Sequence, residues 1–139
     1  MGRRKKKNKG PRVYHKLHGW KLDKEYSIEE IEALAGDDYF TDPETNRRIS
    51  LRRPNYYVKI GYECANEKCD TTGSKYILGI GKVGDLHLDL YGIDGEGDLH
   101  MITIDHIQPK SKGGRNHVRN YQPMCKVCNE IKSDTWEDE

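Results

Sequence analysis

Residues 103–134 read TIDHIQPKSKGGRNHVRNYQPMCKVCNEIKSD, and the rest of the chain is best read outward from them. The stretch opens on the end of an apolar run, Leu99–Ile104, that reads as a strand. Asp105 and His106 stand at the end of that strand. Residues 108–116 (QPKSKGGRN) are a basic loop by composition, punctuated by Pro and Gly. Residues 126–134 suit a short terminal helix, with Asn129 directly after Cys128 and Lys132 one helical turn later. Upstream, Tyr76–Ile80 and Leu86–Tyr91 read as strands, the second with Leu86, Leu88 and Leu90 alternating, and Gly92–Gly97 (GIDGEG) reads as the turn before Leu99. Ser27 and Glu30 form a capping-box pattern. Ile28, Ile31, Leu34 and Ala35 follow at helical spacing and Gly36 closes it, which predicts a helix over 27–35. Residues 36–55 read as loop, broken at Asp42-Pro43 and Arg53-Pro54, and Tyr56–Ile60 as strand-like. Val13, Tyr14, Leu17 and Trp20 read as an anchoring segment. The class is α+β and small.

Four cysteines fall in two pairs, Cys64-x4-Cys69 and Cys125-x2-Cys128. Each pair can present two thiolates to one ion, and two such knuckles complete a tetrahedral zinc site. The competing readings are two disulfides or four ordinary thiols. No hydrophobic segment follows MGRRKKKNKG, so no secretory signal is expected, and a reducing, cytoplasmic setting is expected with it, which disfavours disulfides. Four thiolates leave no open position, so this zinc is structural. Only 34% of the residues are apolar, and a clip between distant segments suits a chain lean in core.

Asp105, His106 and Asn129 suit metal-assisted phosphodiester hydrolysis. A hard cation such as Mg²⁺ takes oxygen ligands, here the Asp105 carboxylate and the Asn129 amide oxygen. His106, on the other side of the strand from Asp105, can take a proton from water. The ion then stabilises charge on phosphorus and the leaving oxygen.

The pattern Asp105-His106-Ile107-x-Pro109-x-Ser111-x-Gly113-Gly114, five residues, Asn120, then Cys125-x-x-Cys128-Asn129-x-x-Lys132, closely resembles the HNH endonuclease family. The resemblance implies a ββα-metal core in which a strand pair and a helix embrace the catalytic ion. It implies His106 as general base, Asp105 and Asn129 as ligands of Mg²⁺ or another divalent ion, and Asn120 as the residue holding the loop that orients His106. It implies structural zinc on Cys64, Cys69, Cys125 and Cys128. Asn129 stands where the family commonly has His, the first cysteine pair is wider than usual, and the gap from Cys69 to Asp105 is long enough for an extra β-hairpin. The expected organisation is a basic DNA-contacting arm over 1–21, an N-terminal helix and loop extension over 22–60, and a zinc-stabilised nuclease domain over 61–139. The alternatives are a zinc-stabilised nucleic-acid binding module that does not cut, and an accessory nuclease subunit of a phage or restriction assembly in a bacterial or phage-infected cell.

Charge is patterned, not spread. The net charge is +1, but residues 1–21 hold nine Lys/Arg and no acid, and 105–132 hold six against two. Residues 22–104 carry −8 and 133–139 carry −4. Two basic blocks in an acidic chain point to an anionic partner, DNA, met at two places. Expected contacts are Arg3, Arg4, Lys5, Lys6 and Lys7 in the arm, with Lys110, Lys112, Arg115, Arg119 and Lys132 beside the motif. Lys132 has a second reading as a helix C-cap. Arg47, Arg48, Arg52 and Arg53 either add DNA contacts or pair with the acids of 23–44. His117 reads as a solvent-exposed loop residue, and His87 and His100 as surface or cross-strand residues. No apolar run approaches a membrane span.

Overall fold

Alternation along three neighbouring strands sorts the apolar residues onto two faces of a sheet. Tyr76, Leu78, Leu88, Leu90 and Ile102 pack on one face, in the main core, while Ile77, Tyr91, Leu99 and Met101 cluster apart from them. The structure is a computed structural model that describes residues 13–14 and 21–136. The elements are β1 (Val13–Tyr14), β2 (Lys21–Ser27), α1 (Ile28–Glu32), β3 (Tyr39–Asp42), β4 (Arg47–Ser50), α2 (Arg52–Ile60), β5 (Thr72–Ile80), β6 (Leu86–Ile93) and β7 (Leu99–His106). Two 3₁₀ turns (Lys110–Lys112 and Val118–Asn120), β8 (Tyr121–Cys125) and α3 (Lys126–Lys132) complete it. The α+β class holds. Leu17 and Trp20 lie outside the described residues.

The main sheet runs β1-β7-β6-β5-β2, with β8 also paired to β7. β5 and β6 form the extra hairpin that the long Cys69–Asp105 gap predicts. Its neighbour β7 enters through a turn closed by Asp94, which accepts from the N–H groups of Glu96 and Asp98 and bonds His100 Nε2 at 2.7 Å. His100 is thus buried and tied across the turn, not a surface residue. Tyr57, Tyr76 and Tyr91 are among the largest fully buried side chains. Tyr57 Oη donates to the Ile102 carbonyl at 2.6 Å, so a phenol both fills the core and satisfies a strand.

The sequence expectations for residues 36–60 need correction. Residues 39–50 are not loop but a two-stranded hairpin, β3–β4, turned by 43–46, with Asn46 in the left-handed region. Tyr56–Ile60 is not strand but the last part of α2. Pro54 sits in the first turn of α2, where its missing N–H costs nothing. Burial falls at Pro54 and Tyr57, a helical interval, not an alternating one. Gly61, at φ +97°, ends the helix. The capping box at Ser27 and Glu30 is present, and α1 is shorter than predicted. Residues of 22–60 share one core with the rest: Tyr26, Ile31, Ile49, Leu51 and Tyr57 pack with Tyr76 and Leu90.

Asp42 anchors that hairpin to the sheet. It is 1% exposed and accepts from Lys24 Nζ at 2.6 Å, Tyr26 Oη at 2.9 Å and Thr45 Oγ1 at 2.7 Å. Lys24 first, then Thr45, holds its carboxyl well below the usual carboxylate range. A depressed carboxylate stabilises the fold above its unfolded pKa and loses that effect as pH falls. Asp42→Asn is therefore expected to lower the melting temperature at pH 7, with the gap to the parent narrowing below about pH 4. A gap that persists undiminished into acid would refute this role.

Candidate active site and metal centre

β7 pairs with β6 only over Leu99–Ile102, and with β8 over Ile102–His106. Its last four residues therefore form a two-stranded ribbon with β8 that leaves β6, whose residues 86–89 stay paired with β5. Asp105 stands opposite Gln122, and His106 opposite Tyr121. Strand alternation turns Asp105 inward, at 7% exposure, and His106 to a half-buried position on the other side. Helix α3 lies along this ribbon. Lys132 Nζ makes a 3.1 Å ion pair with Asp105 Oδ2 and donates to the His106 carbonyl at 3.1 Å. Gln122 Nε2 donates to the same Asp105 oxygen at 2.9 Å. One turn earlier, Asn129 Nδ2 donates to Thr103 Oγ1 at 2.7 Å, and Thr103 donates onward to the Met124 carbonyl at 2.6 Å. Residues two apart on the strand thus meet residues three apart on the helix, and the Asn129 amide oxygen is left out of these bonds.

The four cysteine sulfurs lie within 4.8 Å of one another, and Cys69 and Cys125 Sγ are 3.9 Å apart. Tetrahedral sulfurs about 2.3 Å from one ion would stand about 3.8 Å apart. Donors already point at them: the Cys125 N–H to Cys64 Sγ at 3.4 Å, the Cys128 N–H to Cys125 Sγ at 3.5 Å, and Asn66 Nδ2 to Cys128 Sγ at 3.3 Å. Such bonds favour thiolates. Burial pushes the Cys64 and Cys125 thiols up, so their ionisation at neutral pH calls for a cation among them. Spacing and donor set fit one metal ion. The cluster joins β8 and the start of α3 to the loop before β5.

Asn120 closes the loop between His106 and β8. Its Oδ1 accepts from the Gln108 N–H at 2.9 Å, and its Nδ2 donates to the carbonyls of Gln108 and Arg115, each at 3.0 Å. Its own carbonyl accepts from the Ile107 N–H at 2.7 Å. At Gly114 a Cβ would come within 1.8 Å of the Gln108 carbonyl oxygen, so only glycine fits the turn. The closed loop delivers Asn116, whose Oδ1 lies 2.8 Å from His106 Nε2. An amide oxygen only accepts, so Nε2 is the donor in this bond, and in the neutral imidazole that places the lone pair on Nδ1. The Tyr121 ring meets the imidazole edge-on at 5.2 Å.

Residues 92–135 match the family model described as HNH endonuclease. That segment is similar to the HNH endonuclease domain. The family has a nuclease-type function and binds a divalent metal. The HNH match takes in β7, the loop, β8, α3 and the second cysteine pair; Cys64, Cys69 and α2 lie outside it. No curated protein and no solved structure matches the chain.

Within the matched segment the structure brings Asp105, His106, Asn120, Asn129 and Lys132 onto one ribbon, loop and helix. Among the basic residues, Arg115, His117 and Arg119 line a cavity of about 480 Å³ with Gln108, Gly113 and Asn120. Lys110 and Lys112 stand exposed on the first 3₁₀ turn. Lys132 turns inward to Asp105 instead of outward to solvent. Arg3, Arg4, Lys5, Lys6 and Lys7 lie outside the described residues. Asn116, Gln122 and Tyr121 went unread in the sequence. Pairing β7 with β8 in register would have found the last two, as the cross-strand partners of His106 and Asp105. Among the described residues, no helix is long and apolar enough to cross a membrane.

Proposed function

We propose that the chain is a metal-dependent HNH endonuclease that hydrolyses phosphodiester bonds in DNA. The observation that carries this reading is the Asn116–His106 bond, which leaves Nδ1 as the basic nitrogen at the end of a strand clamped by α3. In the proposed reaction His106 Nδ1 takes a proton from water as the water oxygen bonds to phosphorus. The bond from phosphorus to the leaving oxygen then breaks. Tyr121 and Asn116 fix the imidazole so that little reorientation is needed. The Asp105 carboxylate and the Asn129 amide oxygen are the ligands for Mg²⁺ or a similar hard ion. A divalent ion held there supplies stabilisation of the charge on the phosphate and the leaving oxygen. Gln122 and Lys132 orient the Asp105 carboxylate, as outer-shell partners orient ligands elsewhere. Asn120 holds the loop. Arg115 and Arg119 in their cavity, Lys110 and Lys112 on the loop, and the arm over 1–21 are the phosphate-contacting groups, and zinc is the ion among the four cysteines.

A metal titration of plasmid cleavage tests this reading. Cleavage is expected only with an added divalent ion, and Asn129→Ala should need about tenfold more Mg²⁺ or above for half-maximal rate. Cleavage that ignores both the ion and the substitution would refute the ligand assignment.

A further inference from the structure

The acidic middle of the chain contains one stretch of opposite character. Residues 45–62 hold Arg47, Arg48, Arg52, Arg53 and Lys59 and not one Asp or Glu. Several of these charges and of the acids of 23–44 are engaged elsewhere. Lys24 takes Asp42 and Glu44, Arg53 turns to Asp89 at 3.9 Å, and Arg48 stacks on the Tyr39 ring at 3.9 Å. Among the described residues, Arg52 and Lys59 have no ion pair, and both are exposed. They stand with Tyr56 at positions i, i+4 and i+7 of α2, one face of the helix. Pro54 and Tyr57 bury the other face.

That face opens onto a cavity of about 360 Å³ lined by Tyr39, Ser50, Arg52, Asn55, Tyr56 and Lys59, with Asp38 as its one acid. The cavity is joined to the HNH centre by aromatic rings. Tyr56 meets Tyr121 edge-on at 5.2 Å, and Tyr121 meets His106 edge-on at 5.2 Å. α2 also packs against β8 and the second 3₁₀ turn, which carries Arg119. An exposed pair of cations therefore lies two ring contacts from the catalytic imidazole, outside the segment the family match covers.

We infer that the α2 face is a substrate-holding arm, in which Arg52 and Lys59 grip phosphates of the DNA strand that leads to His106. Two helical turns set their backbones about 10 Å apart, enough for two separate phosphates of one strand. The half-buried Tyr56 and Tyr121 rings give the intervening sugar and base aromatic surface between the cations and the imidazole. This inference rests on the nuclease reading for its substrate, but its test does not depend on cleavage.

The test compares Arg52→Glu/Lys59→Glu with Lys75→Glu/Lys82→Glu, which makes the same change of charge on β5 and the turn after it. Binding of a labelled 30-base-pair duplex is measured by anisotropy at several salt concentrations, with zinc-loaded full chain and no added divalent ion. The α2 variant is expected to bind about tenfold or more weakly, with a log–log salt slope smaller by about two. In cleavage with Mg²⁺ its KM rises while kcat holds. Equal losses in both variants, or no duplex binding by the parent, overturn the inference. If the parent binds in this α2-dependent way yet leaves DNA uncut with every ion added, the arm stands and the nuclease reading fails.

Discussion

His106→Ala is expected to cut DNA about 10²- to 10⁴-fold more slowly than the parent while remaining folded. That is about 3–5 kcal/mol of lost transition-state stabilisation. The imidazole is half-buried, and its contacts are one hydrogen bond to Asn116 and one ring edge against Tyr121, so its removal leaves the core intact. Lys132 holds the His106 backbone carbonyl, not its side chain, so the clamp of α3 on β7 survives the substitution. Duplex binding should be unchanged, because the cations proposed to meet phosphate stand on the loop, on α2 and in the N-terminal arm. The loss is then confined to kcat. A variant that keeps full activity would remove His106 from the role of base, and one that loses its secondary structure would make the residue structural.

The second large effect is on folding. One zinc per chain is expected by elemental analysis, and Cys125→Ser or a strong chelator should bring the domain close to unfolding. Structural zinc is worth about 10 kcal/mol or more at neutral pH, comparable with the whole stability of a small domain. The reason is topological. Cys64 and Cys69 belong to the loop before β5, Cys125 ends β8, and Cys128 lies in α3, so one ion held there would tie β8 and α3 to the loop before β5. Zinc binding must release protons from thiols that burial holds up at Cys64 and Cys125. Zinc should therefore leave, and the protein melt at lower temperature, as the solution is made acidic. A chain free of zinc whose melting curve ignores chelators would contradict the clip.

How legible these features were depended on where their signals lay. The ribbon and α3 were readable because their chemistry is local: Asp105 and His106 close an apolar run, and Cys125, Cys128 and Asn129 sit within five residues. The β5–β6 hairpin showed in the alternation of Leu86, Leu88 and Leu90. α2 was misread because Tyr56, Tyr57 and Val58 carry strand propensity, and the burial that overrides it becomes visible only with Pro54 and Tyr57 against the core. β2 was missed because it is an edge strand rich in charge, KLDKEYS, which protects an edge but hides the pattern. Thr103 and Asn116 were missed because their bonds to Asn129 and His106 reach partners 26 and 10 residues away. The lean composition was also misleading in part. Tyrosines fill the core where aliphatic side chains are few, and the Tyr57 hydroxyl is satisfied there by the Ile102 carbonyl.

The most direct measurement is supercoiled plasmid incubated with the zinc-loaded chain, with Mg²⁺, with Mn²⁺, and with neither, beside His106→Ala under the same conditions. Nicked circles are expected from the parent only when an ion is added, since one centre cuts one strand at a time, and the substituted chain should leave the plasmid supercoiled. A parent that binds the plasmid but leaves it uncut with every ion would contradict hydrolysis at His106.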